Sequence, residues 1–310
     1  MNVFNFIFKR IKVLHSIILD KFAAILFLPR YLYKNGSIYV GFAMPRFTIS
    51  NHNWGDDLNF ILVEELTGKK VIPYKFSLFR GSNYLVIGSV VQWYCNERSI
   101  IWGAGLLHQV DKLKHPKKVL AVRGPETRKE LIKLGIDCPE VYGDPALLMP
   151  LIYFPKIKKR YKVGVILHYS DFKLDRKLQI PVGMNMEDIL YIDIVNYKNW
   201  MNFIDQILSC DVILSSSLHG LIVSDAYKIP NIWTNFGAIQ NNSSKFKYKD
   251  YYQSIGKAIE TPNQYNELMS VPNLDGYIKS KWTFPEIDLS PLIASCPFPN
   301  AKKMLNYGCH

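Results

Sequence analysis

A histidine at the head of a helix offers acid–base chemistry near neutral pH. The run VILSSSLHGLIVSDA puts His219 there, behind Ser215, Ser216 and Ser217 and just ahead of Gly220. Hydroxyls and backbone N–H groups converging on such a strand-to-helix turn make a cradle for an anion. His168 closes another apolar run, VGVILH, and takes the same place at a strand end. In AVRGPETR, Arg123 follows a buried-looking strand and precedes a helix, so a planar cation that grips carboxylate or phosphate bidentately stands at the mouth of a sheet. The competing reading of Arg123 is a structural salt bridge. Residues 51–59, NHNWGDDLN, bring together Asn53, Gly55 for a tight turn, and Asp56 and Asp57, either of which suits the cap of the next helix. Gly103 and Gly105 in IIWGAGLL permit close approach by a ligand or by a packed neighbour.

Several chemistries are excluded. There is no GxGxxG and no GxxxxGK[ST], so neither a dinucleotide fingerprint nor a P-loop is supported. The five cysteines are scattered without a CxxC pair, and the seven histidines form no HExxH, which argues for free thiols in a reducing cytoplasm and against a bound metal. Lysine and arginine exceed the acids by 38 to 26, a net charge of +12 that favours an anionic partner. A nucleic-acid-binding protein is one such reading, but no RNP-like, helix-turn-helix or finger signature accompanies the charge, so nucleic acid is not an expected partner. Asp144 reads as the cap of a short helix, Arg128 as a solvated helix residue, and Lys245, Lys247 and Lys249 as a solvated face.

These residues need elements to hold them. At 310 residues the prior is two domains. Short apolar runs at 37–42, 71–74, 84–89, 99–102 and 118–122 read as strands interleaved with helices at 56–67 and after Arg123. A proline-aromatic and then basic stretch at 151–162 marks a boundary. Beyond it, strands at 189–195, 211–215 and 231–235 alternate with helices at 197–209 and 219–228. The expected architecture is therefore α/β, two Rossmann-like domains (35–155 and 156–310) facing across a cleft, with ligands beyond the carboxyl ends of the strands. Residues 1–34 carry six basic residues, one acid and many large apolar side chains, interrupted too often to span a bilayer. They read as a basic amphipathic helix lying on the inner face of the cell membrane, or as a helix packed on the protein's own core.

Taken in order, NWGDDLN, IIWGAGLL, AVRGPETRKELIKLGI, YGDPALLMP, VGVILHYSD, VILSSSLHGLIVSDAYKIPNIW and the late ASCPFP resemble the polysaccharide pyruvyl transferases. That resemblance implies a GT-B-type fold, phosphoenolpyruvate as donor substrate with no separate cofactor, and a sugar diol, lipid-linked or nucleotide-linked, as acceptor. It further implies a pyruvate ketal as product, made during capsule or exopolysaccharide assembly by a cytoplasmic enzyme at the membrane surface. Arg123 would contact the donor and His219 would be the acid. The family's better-studied members tend to carry an arginine directly before the Leu-His pair, where this sequence has Ser217. A nucleotide-sugar glycosyltransferase of the same fold is the alternative enzyme, and a non-catalytic scaffold a further alternative.

Overall fold

Near-continuous apolar strands bounded by helices can be buried on both faces, the condition for parallel sheets, and the computed structural model contains two. It describes residues 14–48, 53–79, 81–171, 179–237, 242–258 and 261–301. The first sheet joins β1 (Ser37–Val40), β2 (Lys70–Pro73), β3 (Asn83–Leu85), β4 (Ser99–Trp102) and β5 (Lys118–Ala121). The second joins β6 (Tyr161–Ile166), β7 (Ile189–Ile192), β8 (Cys210–Ser215), β9 (Asn231–Asn235) and β10 (Asn263–Gln264). Every pairing is parallel. The orders are β2-β1-β3-β4-β5 and β7-β6-β8-β9-β10, the same doubly wound order twice. The fold is thus α/β with two five-stranded parallel sheets, consistent with two Rossmann-like domains. Each sheet reverses its winding once, between β1 and β3 and between β6 and β8, and such reversals open crevices at the strands' carboxyl ends.

The helices that matter are α1 (Trp54–Thr67), α2 (Pro125–Lys133), α3 (Trp200–Leu208), α4 (Leu218–Ala226), α5 (Asn242–Ser254) and α6 (Leu274–Lys281). One core cluster runs continuously through both halves, while a smaller one fills the space around Val163, Val212, Leu214 and Ile278 of the second sheet and α6. The chain beyond β10 returns to the first sheet: Trp102 Nε1 donates to Leu292 O at 2.9 Å and Phe298 packs on Tyr84 and Trp102. Helix α5 likewise crosses back onto α2.

Several expected element bounds shift, and two of these shifts bear on the site. Helix α1 begins at Trp54 rather than 56, because Asn53 and neither aspartate caps it, its side chain accepting from Gly55 N at 3.1 Å. Strand β3 ends at Leu85 rather than 89, since Gly88 adopts φ +102 and the chain turns out of the sheet there. Residues 14–23 are helical and are followed by short turns at Ala24–Phe27 and Leu28–Tyr31. Residues 1–13 of the expected N-terminal helix, and Asn51 and His52 of the first turn, lie outside the described residues. Among those residues no helix is long and apolar enough to cross a membrane.

Candidate active site

The two reversals face each other, and a cavity of about 230 Å³ lies between them. Asn53 and Asp56 reach it from the head of α1, Ser89 from the turn after β3, His168 from the end of β6, and Ser217 and His219 from the head of α4. Trp93 and Tyr169, 60% and 54% exposed, stand on its lining as well.

The head of α1 joins the two halves. Trp54 N donates to Ile194 O at 2.9 Å, its indole N–H donates to Trp200 O at 3.0 Å, and its ring stacks on Phe203. Asp57 accepts from the Tyr197 hydroxyl. Gly55 is demanded by contact rather than by a tight turn: a Cβ there would lie 1.8 Å from His219 Nδ1. The imidazole is therefore pressed against the α1 backbone from the other half of the molecule. Its Nε2 is buried with no hydrogen-bond partner among the described residues. Burial first, then the charges of Lys247 and Arg123, push His219 down to about 3, so the ring is neutral at pH 7. His168 is pushed down to about 3 by burial, Lys247 and His219. Its Nδ1 lies 2.8 Å from Ser170 Oγ.

The serine cradle is narrower than its sequence implies. Ser215 Oγ accepts from Ser217 N and donates to Ser217 O, while Ser216 Oγ accepts from His168 N at 2.8 Å and donates to Asp171. The Ser215 hydroxyl thus braces its own turn and the Ser216 hydroxyl ties that turn to the end of β6, while Ser217 is the serine of the three on the cavity wall. Gly220 packs on β8, where a Cβ would lie 2.5 Å from Ser215 Oγ. Gly103, at φ +88, leaves room for Pro145. Gly105 lies against the Arg123 guanidinium, 2.5 Å from the position of a Cβ. Both glycines serve packing behind the cavity.

Arg123 itself is fully buried. Its Nε and Nη2 pair with Asp250 Oδ2 at 3.0 and 2.8 Å, Nη1 donates to Ser89 Oγ at 2.7 Å, and Nη2 donates to Leu106 O at 2.6 Å. Direct contact with a ligand would require this arrangement to open. Asp144 caps the turn Pro145–Leu151 as expected, and burial raises it to about 6. Arg128 is half-buried, its Nε donating to Cys138 O at 3.1 Å, rather than solvated. No group of three or more metal-ligating side chains occurs among the described residues.

Lys247 was misplaced by its sequence context. It is half-buried and lines the cavity. Burial and the Arg123 charge push it down to about 8 against the pull of Asp56. The signal was helical period: Tyr248, Tyr251 and Tyr252 mark the buried face of α5, and Lys247 lies one turn before Tyr251 on its margin. Lys249, on another side, pairs with Glu126 at 3.1 Å. Trp93 and Tyr169 carried no sequence signal, because nothing local distinguishes a cavity-rim aromatic from a core one.

Comparison with known proteins bears on this arrangement. The chain is 28% identical over 252 residues to uncharacterized protein L143 of Acanthamoeba polyphaga mimivirus, covering 80% of this chain and 85% of that one. It is 29% identical over 219 residues to the succinoglycan biosynthesis protein ExoV of Rhizobium meliloti, covering 68% and 65%. A solved structure of a functionally uncharacterized Klebsiella pneumoniae protein aligns over 77% of this chain and 96% of its own, at 15% identity and a TM-score of 0.40. The family model described as polysaccharide pyruvyl transferase matches residues 10–235, a span that includes the head of α1, Arg123, His168 and the β8–α4 turn. By that match the chain belongs to the polysaccharide pyruvyl transferase family.

Proposed function

We propose that this protein moves the pyruvyl group of phosphoenolpyruvate onto a sugar diol, forming a cyclic ketal during assembly of a capsule or exopolysaccharide. The observation that carries the reading is the buried Nε2 of His219, without a hydrogen-bond partner among the described residues, on a ring that lines a cavity beside a lysine. Ketal formation begins with a proton delivered to the donor's methylene carbon. A sugar hydroxyl then bonds to the neighbouring carbon and gives up its proton, which restores the acid. Loss of phosphate from that carbon lets the second hydroxyl close the ring, its proton leaving with the released phosphate or solvent. His219 is the acid in this scheme. Burial and the charges of Lys247 and Arg123 keep it neutral, so an anionic donor must raise its proton affinity before it acts. Trp93 and Tyr169 offer exposed aromatic surface to the apolar face of the acceptor sugar. Lipid linkage of that sugar, a GT-B-type closure of the halves and work at the cytoplasmic membrane face belong to the same proposal.

The test is incubation of the purified protein with phosphoenolpyruvate and lipid-linked or nucleotide-linked sugars, reading released phosphate and the acceptor's mass. Phosphate release matched by gain of a pyruvyl group is the expected result. Turnover of a nucleotide sugar without phosphoenolpyruvate would replace the reading with glycosyl transfer.

A further inference from the structure

We propose that Lys247 is the cation that receives the donor's anionic group, phosphate or carboxylate, in this cavity; the proposal rests on the pyruvyl-transfer reading. Among the cavity's described lining residues the charged side chains are Asp56 and Lys247, the two histidines being neutral at pH 7. Arg123 lies behind Ser89 with its guanidinium engaged by Asp250, Ser89 and Leu106. Lys247 forms no ion pair within 4.0 Å among the described residues. A half-buried ammonium loses hydration, and an anion in the cavity restores what it lost.

The helix that presents it is anchored on either side. Tyr248 donates to Ser216 O at 2.5 Å and stacks on Trp233 at 4.1 Å, and Asp250 is tied to Arg123 and Thr127. Lys247 is thereby fixed to the same turn that carries His219. The groups facing it are Asp56 from α1, Arg123 from the end of β5, His168 from the β6 turn and His219 from α4. Burial is the first cause of His219's neutrality, and an anion seated on Lys247 cancels part of the positive field that adds to it, which couples donor binding to protonation of the acid.

Calorimetric titration of the full-length protein with phosphoenolpyruvate and with inorganic phosphate, from pH 7 to 9.5, tests this on wild type, Lys247→Met, Lys247→Gln and Lys247→Arg. Removing one charge-assisted contact should weaken phosphoenolpyruvate binding by about ten- to a hundredfold in the Met and Gln variants. Wild-type affinity should fall as pH rises through about 8, where the ammonium is lost, and Lys247→Arg should bind without that fall. Circular dichroism and melting confirm each fold, and should the Met variant unfold, the Gln variant and the Arg pH profile carry the test. Wild-type affinity in a folded Lys247→Gln protein overturns the proposal and leaves the pyruvyl reading standing. Wild-type protein that ignores phosphoenolpyruvate overturns the reading itself, and this proposal with it.

Discussion

Replacing Asp250 with asparagine removes one charge from the centre of the molecule at almost constant volume. In the native protein Asp250 Oδ2 accepts from Arg123 Nε and from Thr127 Oγ1 at 2.7 Å, and Oδ1 accepts from Thr127 N at 2.8 Å. Both side chains of the ion pair are 0% exposed, so water cannot replace the lost carboxylate. Leu106 O and Ser89 Oγ would remain as the guanidinium's neutral acceptors. Breaking a buried pair from one side costs about 3–5 kcal/mol, because the surviving charge stays desolvated. At roughly 2–4 °C per kcal/mol for large domains, the melting temperature should fall by about 6–20 °C. Differential scanning calorimetry and urea denaturation read this directly. Replacing both partners, Arg123→Met with Asp250→Leu, removes the stranded charge, so the double variant should be more stable than Asp250→Asn. An Asp250→Asn protein that melts with the wild type, or a double variant less stable than the sum of the two singles, refutes a structural role for the pair. Because Asp250 lies one turn from Lys247 on α5, the single variant should also loosen the cavity wall.

His219→Gln should lose about 10²- to 10⁴-fold in turnover with much less effect on donor affinity, measured by phosphate release and calorimetry. Trp93→Ala should raise the KM for the sugar acceptor several-fold at nearly unchanged kcat, since the ring is exposed at the cavity rim and lies outside the proposed proton path. The unfolded chain protonates His168 near its ordinary 6.5 while the folded chain waits until about 3; its contribution is therefore complete above pH 6.5 and lost as pH falls toward 3. In His168→Gln the slope of unfolding free energy against pH between 4 and 6 should shrink by about 1.4 kcal/mol per unit. Leu14, Ile17, Phe22, Ile25 and Leu32 are exposed while Ala23, Ala24 and Phe27 are buried, and Asp20 is turned inward against Arg46 and Lys75. Under the proposed work at the membrane face, the wild-type protein should co-sediment with anionic vesicles, and exchanging Phe22 and Ile25 for serine should leave it in the supernatant.

Much of the outline was legible along the chain. Buried parallel strands and amphipathic helices write their character locally, so the α/β alternation and the turns holding Asn53, His168 and His219 followed from period and punctuation. The sequence order of those turns does not say that they meet. That depends on both sheets winding β2-β1-β3 and β7-β6-β8, which places two reversals opposite each other. Burial and pairing were likewise undecided by any local rule. Arg123 reads equally as ligand clamp or salt bridge until Asp250, 127 residues later, is brought against it. Lys247 reads as solvated until Tyr248 and Asp250 fix the rotation of its helix. Ser215 and Ser216 read as a cradle until the backbone of Ser217 engages one hydroxyl and the β6 turn the other. Sequence determines which groups a turn can offer, because turn chemistry acts over a few residues. Which of them faces the cavity, and which is spent holding it together, is decided by desolvation and long-range partners, and these exist only once the two halves have closed on one core.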